Sequence, residues 1–288
     1  MALVASPAEA LLVADWARQR IVSERRRLAD EAARWKADAE AQALRPGDAN
    51  DPVAFSQRAG IDPDPWQADL LRSSDLEVIL NCSRQSGKST TTAAMAVHTA
   101  LYQPDSLVLL LSPGIRQSGE LFKKCTAIYQ SVGRPVAADS ETALTVTLAN
   151  RSRIVSLPGK DANVRGFSGV RLAIIDEAAW VMDPLYYAIR PMLAVSGGRL
   201  ILMSTPFGKR GFFHHEWVQG GSGWRRFRVT AEQCPRISAE FLANERARMP
   251  AAAFDQEYGC EFGELEGAVF SYEQIQAALA DDVEPLWA

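Results

Sequence analysis

An apolar run, LEVILNC at residues 76–82, passes through SRQSGKST directly into KSTTTAAMAVHTALY, a stretch with helical character. A strand that turns tightly into a helix leaves the first backbone N–H groups of that helix without intrahelical acceptors. Such an end is suited to the oxygens of a phosphate group. The ending Gly87-Lys88-Ser89 is that of the P-loop GxxxxGK[ST], in the strand–loop–helix context the motif requires. One departure is clear: the motif's first glycine is Cys82 here. Lys88 is expected to reach the β and γ phosphates of a nucleotide, and the Ser89 hydroxyl to ligate Mg2+. A bare GKS tripeptide in a loop would carry little weight. The flanking strand and helix give it its meaning.

A second segment points the same way. LAIIDEAAW (172–180) is an apolar strand that ends in two acids. Asp176 at the strand end can hold Mg2+ beside Ser89. Glu177, one residue on, can polarise a water for in-line attack on the γ-phosphate. The plainer alternative is a pair of acids opening a helix, where carboxylates are favoured. No NKxD guanine motif occurs, which favours ATP over GTP. Around these motifs SLVLLLS (106–112), RLAIID (171–176) and GRLILMST (198–205) read as further buried strands separated by helical stretches. ALTVTLAN and SRIVSLP look like an antiparallel hairpin about Asn150–Arg151. Strands apolar on both faces and alternating with helices specify an α/β fold with a mostly parallel sheet between helices.

Composition excludes several classes. The 288 residues, 47% hydrophobic and 23% charged with net charge −4, describe a globular chain rather than a disordered or fibrous one. No apolar run approaches the ~20 residues that span a bilayer, and the mildly apolar N-terminus lacks a basic n-region, so neither a membrane span nor a secretory signal is expected. Cys82, Cys125, Cys234 and Cys260 are widely spaced and only three histidines are present, which favours a reducing cytoplasm and argues against zinc.

Residues 1–49 form an expected N-terminal helical arm, highly charged, with Ile21, Leu28 and Trp35 seven apart on a narrow apolar stripe. That stripe either packs on the arm's own domain or docks on a neighbouring subunit or a DNA backbone. Pro46, Gly47 and Pro52 then break the helix. Residues 50–222 are expected to be the core. Residues 223–272, with WRRFRVT, short helices and a Gly-punctuated tail, are expected to form a small α+β lid subdomain.

Together these residues resemble the large terminase subunit of tailed bacteriophages. Ser83-Arg84-Gln85-Ser86-Gly87-Lys88-Ser89-Thr90 is similar to that family's variant P-loop, and Trp66-Gln67 to its adenine-contacting segment. Asp176-Glu177-Ala178-Ala179 resembles its Walker B segment, Ser204-Thr205-Pro206 its coupling motif, and PRISAEFLANERARMP with FDQEYGCEFGELEGAVF its lid; the likeness covers about residues 60–272. The resemblance implies a RecA-like P-loop NTPase of the ASCE type. It implies an ATPase motor that moves double-stranded DNA into a procapsid, with a portal protein, a small terminase subunit and a homo-oligomeric ring as partners in the infected host's cytoplasm. It also implies γ-phosphate sensing by Arg84, an arginine finger at Arg165 reaching a neighbouring subunit, and γ-phosphate detection by Ser204 and Thr205. The family follows this domain with a nuclease; residues 273–288 are expected to begin the linker to it, with no nuclease in this chain.

Arg199, Lys209, Arg210, Arg225, Arg226 and Arg228 outnumber one acid, Glu216, between residues 199 and 228. Lys209, Arg210, Arg225, Arg226 and Arg228 are the candidate DNA contacts, sequence-independent and salt-sensitive; they could equally decorate strand and turn surfaces. Two other functions compete. DEAA and STP echo a DEAD-box helicase, but too few residues follow Pro206 for the second RecA-like domain such enzymes need. A docking module that binds nucleotide without turnover is opposed by the presence of Glu177.

Overall fold

A computed structural model describes residues 20, 22–27, 31, 43–158, 164, 166–264, 274, 275 and 278. The chain divides into two units, residues 1–44 and 45–288. In the first, residues 22–27 are helical and Arg27 pairs with Glu24 at 2.5 Å. Ile21, Leu28 and Trp35 of the expected apolar stripe lie outside the described residues, as do Arg165 and most of 265–288.

The second unit opens with three short helices, α1 (Pro46–Asn50), α2 (Pro52–Arg58) and α3 (Pro65–Arg72), each carrying proline in its first turn, where the missing N–H is one the helix could not bond. Strand β1 (Glu77–Cys82) runs into α4 (Lys88–Tyr102), and β2 (Leu107–Ser112) into α5 (Ile115–Ser131). Strands β3 (Ala138–Glu141), β4 (Thr145–Leu148) and β5 (Arg153–Pro158) follow; β4–β5 is antiparallel as the hairpin reading anticipates, and β3, not anticipated, adds antiparallel to β4. Next come β6 (Val170–Asp176), α6 (Asp183–Leu193), β7 (Arg199–Ser204) and α7 (Gly211–Val218). Strand β8 (Trp224–Val229) precedes α8 (Ala239–Arg248) and α9 (Ala251–Glu257).

All eight strands form one sheet in the order β3-β4-β5-β2-β6-β7-β1-β8, and every pairing from β5 to β8 is parallel. The period of two divides each central strand between two cores. Val78, Leu80, Val108, Leu110, Leu172, Ile174, Ile201 and Met203 face the core shared with α2 to α5. Ile79, Leu109, Leu111, Ala173, Ile175, Leu200 and Leu202 face the core shared with α6 and α7. That division explains why the strands read as unbroken apolar runs.

One element differs from expectation. WRRFRVT, expected to open the lid, is β8 and pairs in parallel with β1, from Glu77↔Trp224 to Cys82↔Val229. Trp224, Phe227 and Val229 are buried while Arg225 and Arg228 are exposed, the alternation of an edge strand. The sheet therefore runs to residue 229, and the segment beyond it begins with a third small core of Ala231, Leu242 and Phe254.

Candidate nucleotide site

Because the six strands β1, β2 and β5 to β8 run in parallel, Cys82, Ser112, Asp176, Ser204 and Val229 end at one edge of the sheet. Open α/β sheets bind ligands outside this carboxyl edge. Here the loop 83–87 turns from β1 into α4 with left-handed backbone at Gln85 (φ 60°) and Gly87 (φ 91°). Only glycine suits position 87, since a Cβ there would also run into the Gln67 amide nitrogen. Cys82, in place of the usual glycine, is fully buried within the α2–α5 core, so its side chain is accommodated behind the loop. Burial pushes its thiol well above the ordinary range.

Around this loop lies a cavity of about 960 Å³, at the upper end of small-ligand sites. Arg84, Gln85, Ser86, Gly87, Lys88, Ser89 and Thr90 line it together with Glu177. Lys88 is 7% exposed and its Nζ stands 4.0 Å from Glu177 Oε1. Glu177 takes a left-handed backbone, φ 50°. Its N–H donates to Asp176 Oδ1 at 2.9 Å, and its Oε2 accepts from Ser204 Oγ at 3.3 Å. Four residues from two strand ends and the helix start thus converge: Lys88, Asp176, Glu177 and Ser204. Thr205 is buried beside Ser204.

Asp176 is the electrostatic centre of the site. Burial, and then the neighbouring Glu177 charge, raise its pKa to about 6 against the opposing pull of Lys88. Among the described residues it has no ion-pair partner within 4.0 Å. A buried carboxylate held in this way, beside a helix start carrying the Ser89 hydroxyl, is an oxygen donor set that fits a hard divalent cation such as Mg2+.

Other expected residues sit differently. Gln67 is buried, accepts the Asp64 N–H at 2.8 Å and donates to the Ser86 carbonyl at 3.2 Å. It bolts α3 to the loop and does not line the cavity. Trp66 packs its ring 6.5 Å from Phe227, in the core side of α3, and also stands outside the lining. Ser83 is buried, its N–H bonded to the Val229 carbonyl. Arg84 is 65% exposed and ion-paired with Glu257 of α9. Arg165 lies outside the described residues.

The structure adds residues that no motif marks. Lys124 of α5 lines the cavity, as do Arg236, Ser238, Phe241 and Tyr258 from the C-terminal segment. Arg236 donates to both Asp64 carboxylate oxygens, at 3.0 and 2.6 Å, and to the Ser86 carbonyl at 3.2 Å. Lys124 sits among ordinary helix residues, and Arg236 is 172 positions from Asp64. No local pattern marks either residue.

The basic stripe is largely engaged within the chain. Arg225 pairs with Asp69 at 2.7 Å, Lys209 with Glu264 at 2.7 Å, and Arg228 with Glu261. Arg226 donates to the carbonyls of Trp217, Gly221 and Glu216 at 2.8–2.9 Å, which fastens β8 to α7. Arg210 stands over the Phe207 ring, 4.7 Å from its centroid. No helix among the described residues is long and apolar enough to cross a membrane.

A family profile described as terminase large subunit, T4likevirus-type, N-terminal, matches residues 79–277. The large terminase subunit of Thermus virus P23-45 is 25% identical over 264 residues, covering 79% of this chain and 53% of the relative. The chain spans about half the length of the curated relatives it matches. Among solved structures, the large terminase ATPase domain of Thermus phage P74-26 superposes with a TM-score of 0.65 at 21% identity, covering 73% of this chain and 98% of that one. The large terminase of a thermophilic bacteriophage, solved in complex with ADP, gives 0.55 at 13% identity, over 73% of this chain and 52% of that one. These likenesses establish the RecA-like P-loop fold.

Proposed function

The chain belongs to the T4likevirus-type terminase large subunit family, of which it carries the N-terminal part, and we propose that it is the ATPase motor that drives double-stranded DNA into a viral procapsid. The observation that carries this reading is the meeting of Lys88, Glu177 and Ser204 at one strand edge, with Lys88 Nζ 4.0 Å from Glu177 Oε1. Lys88 binds the β and γ phosphates and Glu177 orients and polarises the attacking water. Ser204 holds the Glu177 carboxylate through their hydrogen bond and reports γ-phosphate loss to the segment beyond β8, with Thr205 beside it. Ser89 and Asp176 would hold Mg2+, which would supply neutralisation of phosphate charge when bound. Arg84 and Arg236 link the loop to residues 234–258, which act as the lid; Arg84 leaves Glu257 for the γ-phosphate on closure. The portal protein, the small subunit, a homo-oligomeric ring and the host cytoplasm complete the reading, and are supported by family membership.

ATP turnover and nucleotide binding by Glu177→Gln test it. Binding within a few-fold of wild type, with turnover reduced on the order of 10²–10⁴-fold, is expected for loss of a general base. Equal turnover in both proteins would favour a docking module without hydrolysis.

A further inference from the structure

At the opposite edge of the sheet, where β1, β6 and β7 begin, a second cavity of about 390 Å³ opens between α1, α3, α4 and the strand starts. Three arginines line it, Arg72, Arg171 and Arg199, with Ser73, Ser74 and Gln103 also in its wall and, among the described residues, no aspartate or glutamate lining it. Several arginines elsewhere pair with carboxylates, among them Arg58 with Asp48, Arg134 with Glu141, Arg151 with Asp105, Arg190 with Glu77 and Arg225 with Asp69, while Arg210 and Arg226 meet a ring and backbone carbonyls instead. Among the described residues none of the three cavity arginines has a carboxylate within 4.0 Å.

Arg199 is the informative one. It enters at the first position of β7, donates from Nη2 to Ser73 Oγ at 2.8 Å, and leaves its buried Nε without an acceptor. Burial pulls its pKa down to about 10, with only the more distant Asp75 charge opposing. Arg199 as a whole is half-buried, and a guanidinium partly withdrawn from water with no opposite charge in contact is costly. Arg171 bonds Gln103 Oε1 at 2.7 Å and the Ser196 carbonyl at 3.1 Å, both neutral acceptors. These contacts orient the guanidinium and leave its charge in place.

We propose that this cavity is a binding site for a small polyvalent phosphate, of the pyrophosphate or nucleotide-phosphate class, held between Arg72, Arg171 and Arg199. Guanidinium forks match phosphate oxygens in pairs, and three of them answer a multiply charged anion better than a single carboxylate. A DNA duplex presents its phosphates on a convex surface and reaches the exposed Arg72 and Arg171, but it does not enter to offset Arg199. The site lies about 20 Å from the P-loop, a six-residue strand away. Because its wall joins the starts of the strands that end in Cys82, Asp176 and Ser204, an occupant braces the scaffold of the nucleotide site from below.

Calorimetric titration with pyrophosphate tests this in a Lys88→Ala background, which removes the P-loop lysine. One site is expected to remain. Adding Arg72→Gln, an exposed substitution, or Arg72→Gln with Arg171→Gln, is expected to weaken that site on the order of tenfold or more per arginine. Circular dichroism establishes that each variant is folded. No pyrophosphate binding by Lys88→Ala, or unchanged affinity in the Arg72→Gln variant, overturns the proposal. A short duplex that loses affinity in the arginine variants without being displaced by pyrophosphate also overturns it, and makes the face a DNA contact. Wild-type ATP turnover is read separately, so failure here leaves the nucleotide-site reading standing.

Discussion

Glu177 combines a left-handed backbone with a carboxylate 4.0 Å from Lys88. Backbone of this kind in a non-glycine residue costs on the order of 1 kcal/mol and persists only where the surroundings over-determine it. Glu177→Gly should therefore raise the unfolding free energy by up to about 1 kcal/mol while removing turnover. A fall in stability measured by urea titration would show that the carboxylate's contacts outweigh the strain. His98 makes a different test. Its ring lies 5.4 Å from Phe55 and 4.9 Å from Tyr102, and its Nε2 bonds the Asp48 carbonyl at 2.8 Å. Burial holds its pKa below the ordinary 6.5. Below that value the unfolded chain takes up a proton the native ring resists, so stability is full above pH 6.5 and declines as pH falls. His214, lowered by burial as well, acts in the same direction. Asp176, raised to about 6, acts the other way in the same window, so the prediction is a difference: from about pH 8 to pH 5, acidification should cost the wild type more unfolding free energy than it costs His98→Phe. Identical slopes in the two proteins would show that His98 contributes nothing to the pH dependence.

At the scale of elements, the two strand-to-loop corners after β1 and β6 were legible as motifs because their residues are covalent neighbours. β8 was not. WRRFRV has three arginines among its six residues and reads as a surface segment, yet the open edge of β1 and the buried faces of Trp224, Phe227 and Val229 draw it into the sheet. The pairing supplies the Val229 carbonyl that receives the Ser83 N–H, so the last strand helps to hold the P-loop. Phe227→Ala should cost about 3–5 kcal/mol in unfolding free energy, read by chemical denaturation, and should weaken nucleotide binding through the loop. A loss below about 1 kcal/mol would mean that β8 is peripheral to the fold. Gln67, which the family resemblance marks for an adenine contact, donates to the Ser86 carbonyl, a contact that chain order does not encode.

For the whole molecule, the proposed ring makes a kinetic prediction. If Arg165 completes the site of a neighbouring subunit, turnover per chain should rise steeply with protein concentration. Arg165→Ala should leave nucleotide binding intact and reduce turnover in the assembled state by on the order of 10³ or more, as trans arginines do elsewhere. Turnover independent of concentration and unchanged by the substitution would place the whole catalytic set within one chain.

The sequence by itself determined the α/β class, the P-loop strand and helix, the acid pair at 176–177 and the family. Each of these is written in local spacing, in the period of a buried strand, or in a run of adjacent residues. Only the tertiary structure decided which charges are already engaged. Arg225 and Asp69 are 156 positions apart, and Arg236 and Asp64 are 172 apart. Folding neutralises much of the basic stripe that composition had marked, and it leaves Arg72, Arg171 and Arg199 around a cavity without acids. The physical reason is that charge compensation is a property of distance in space, which chain order does not encode.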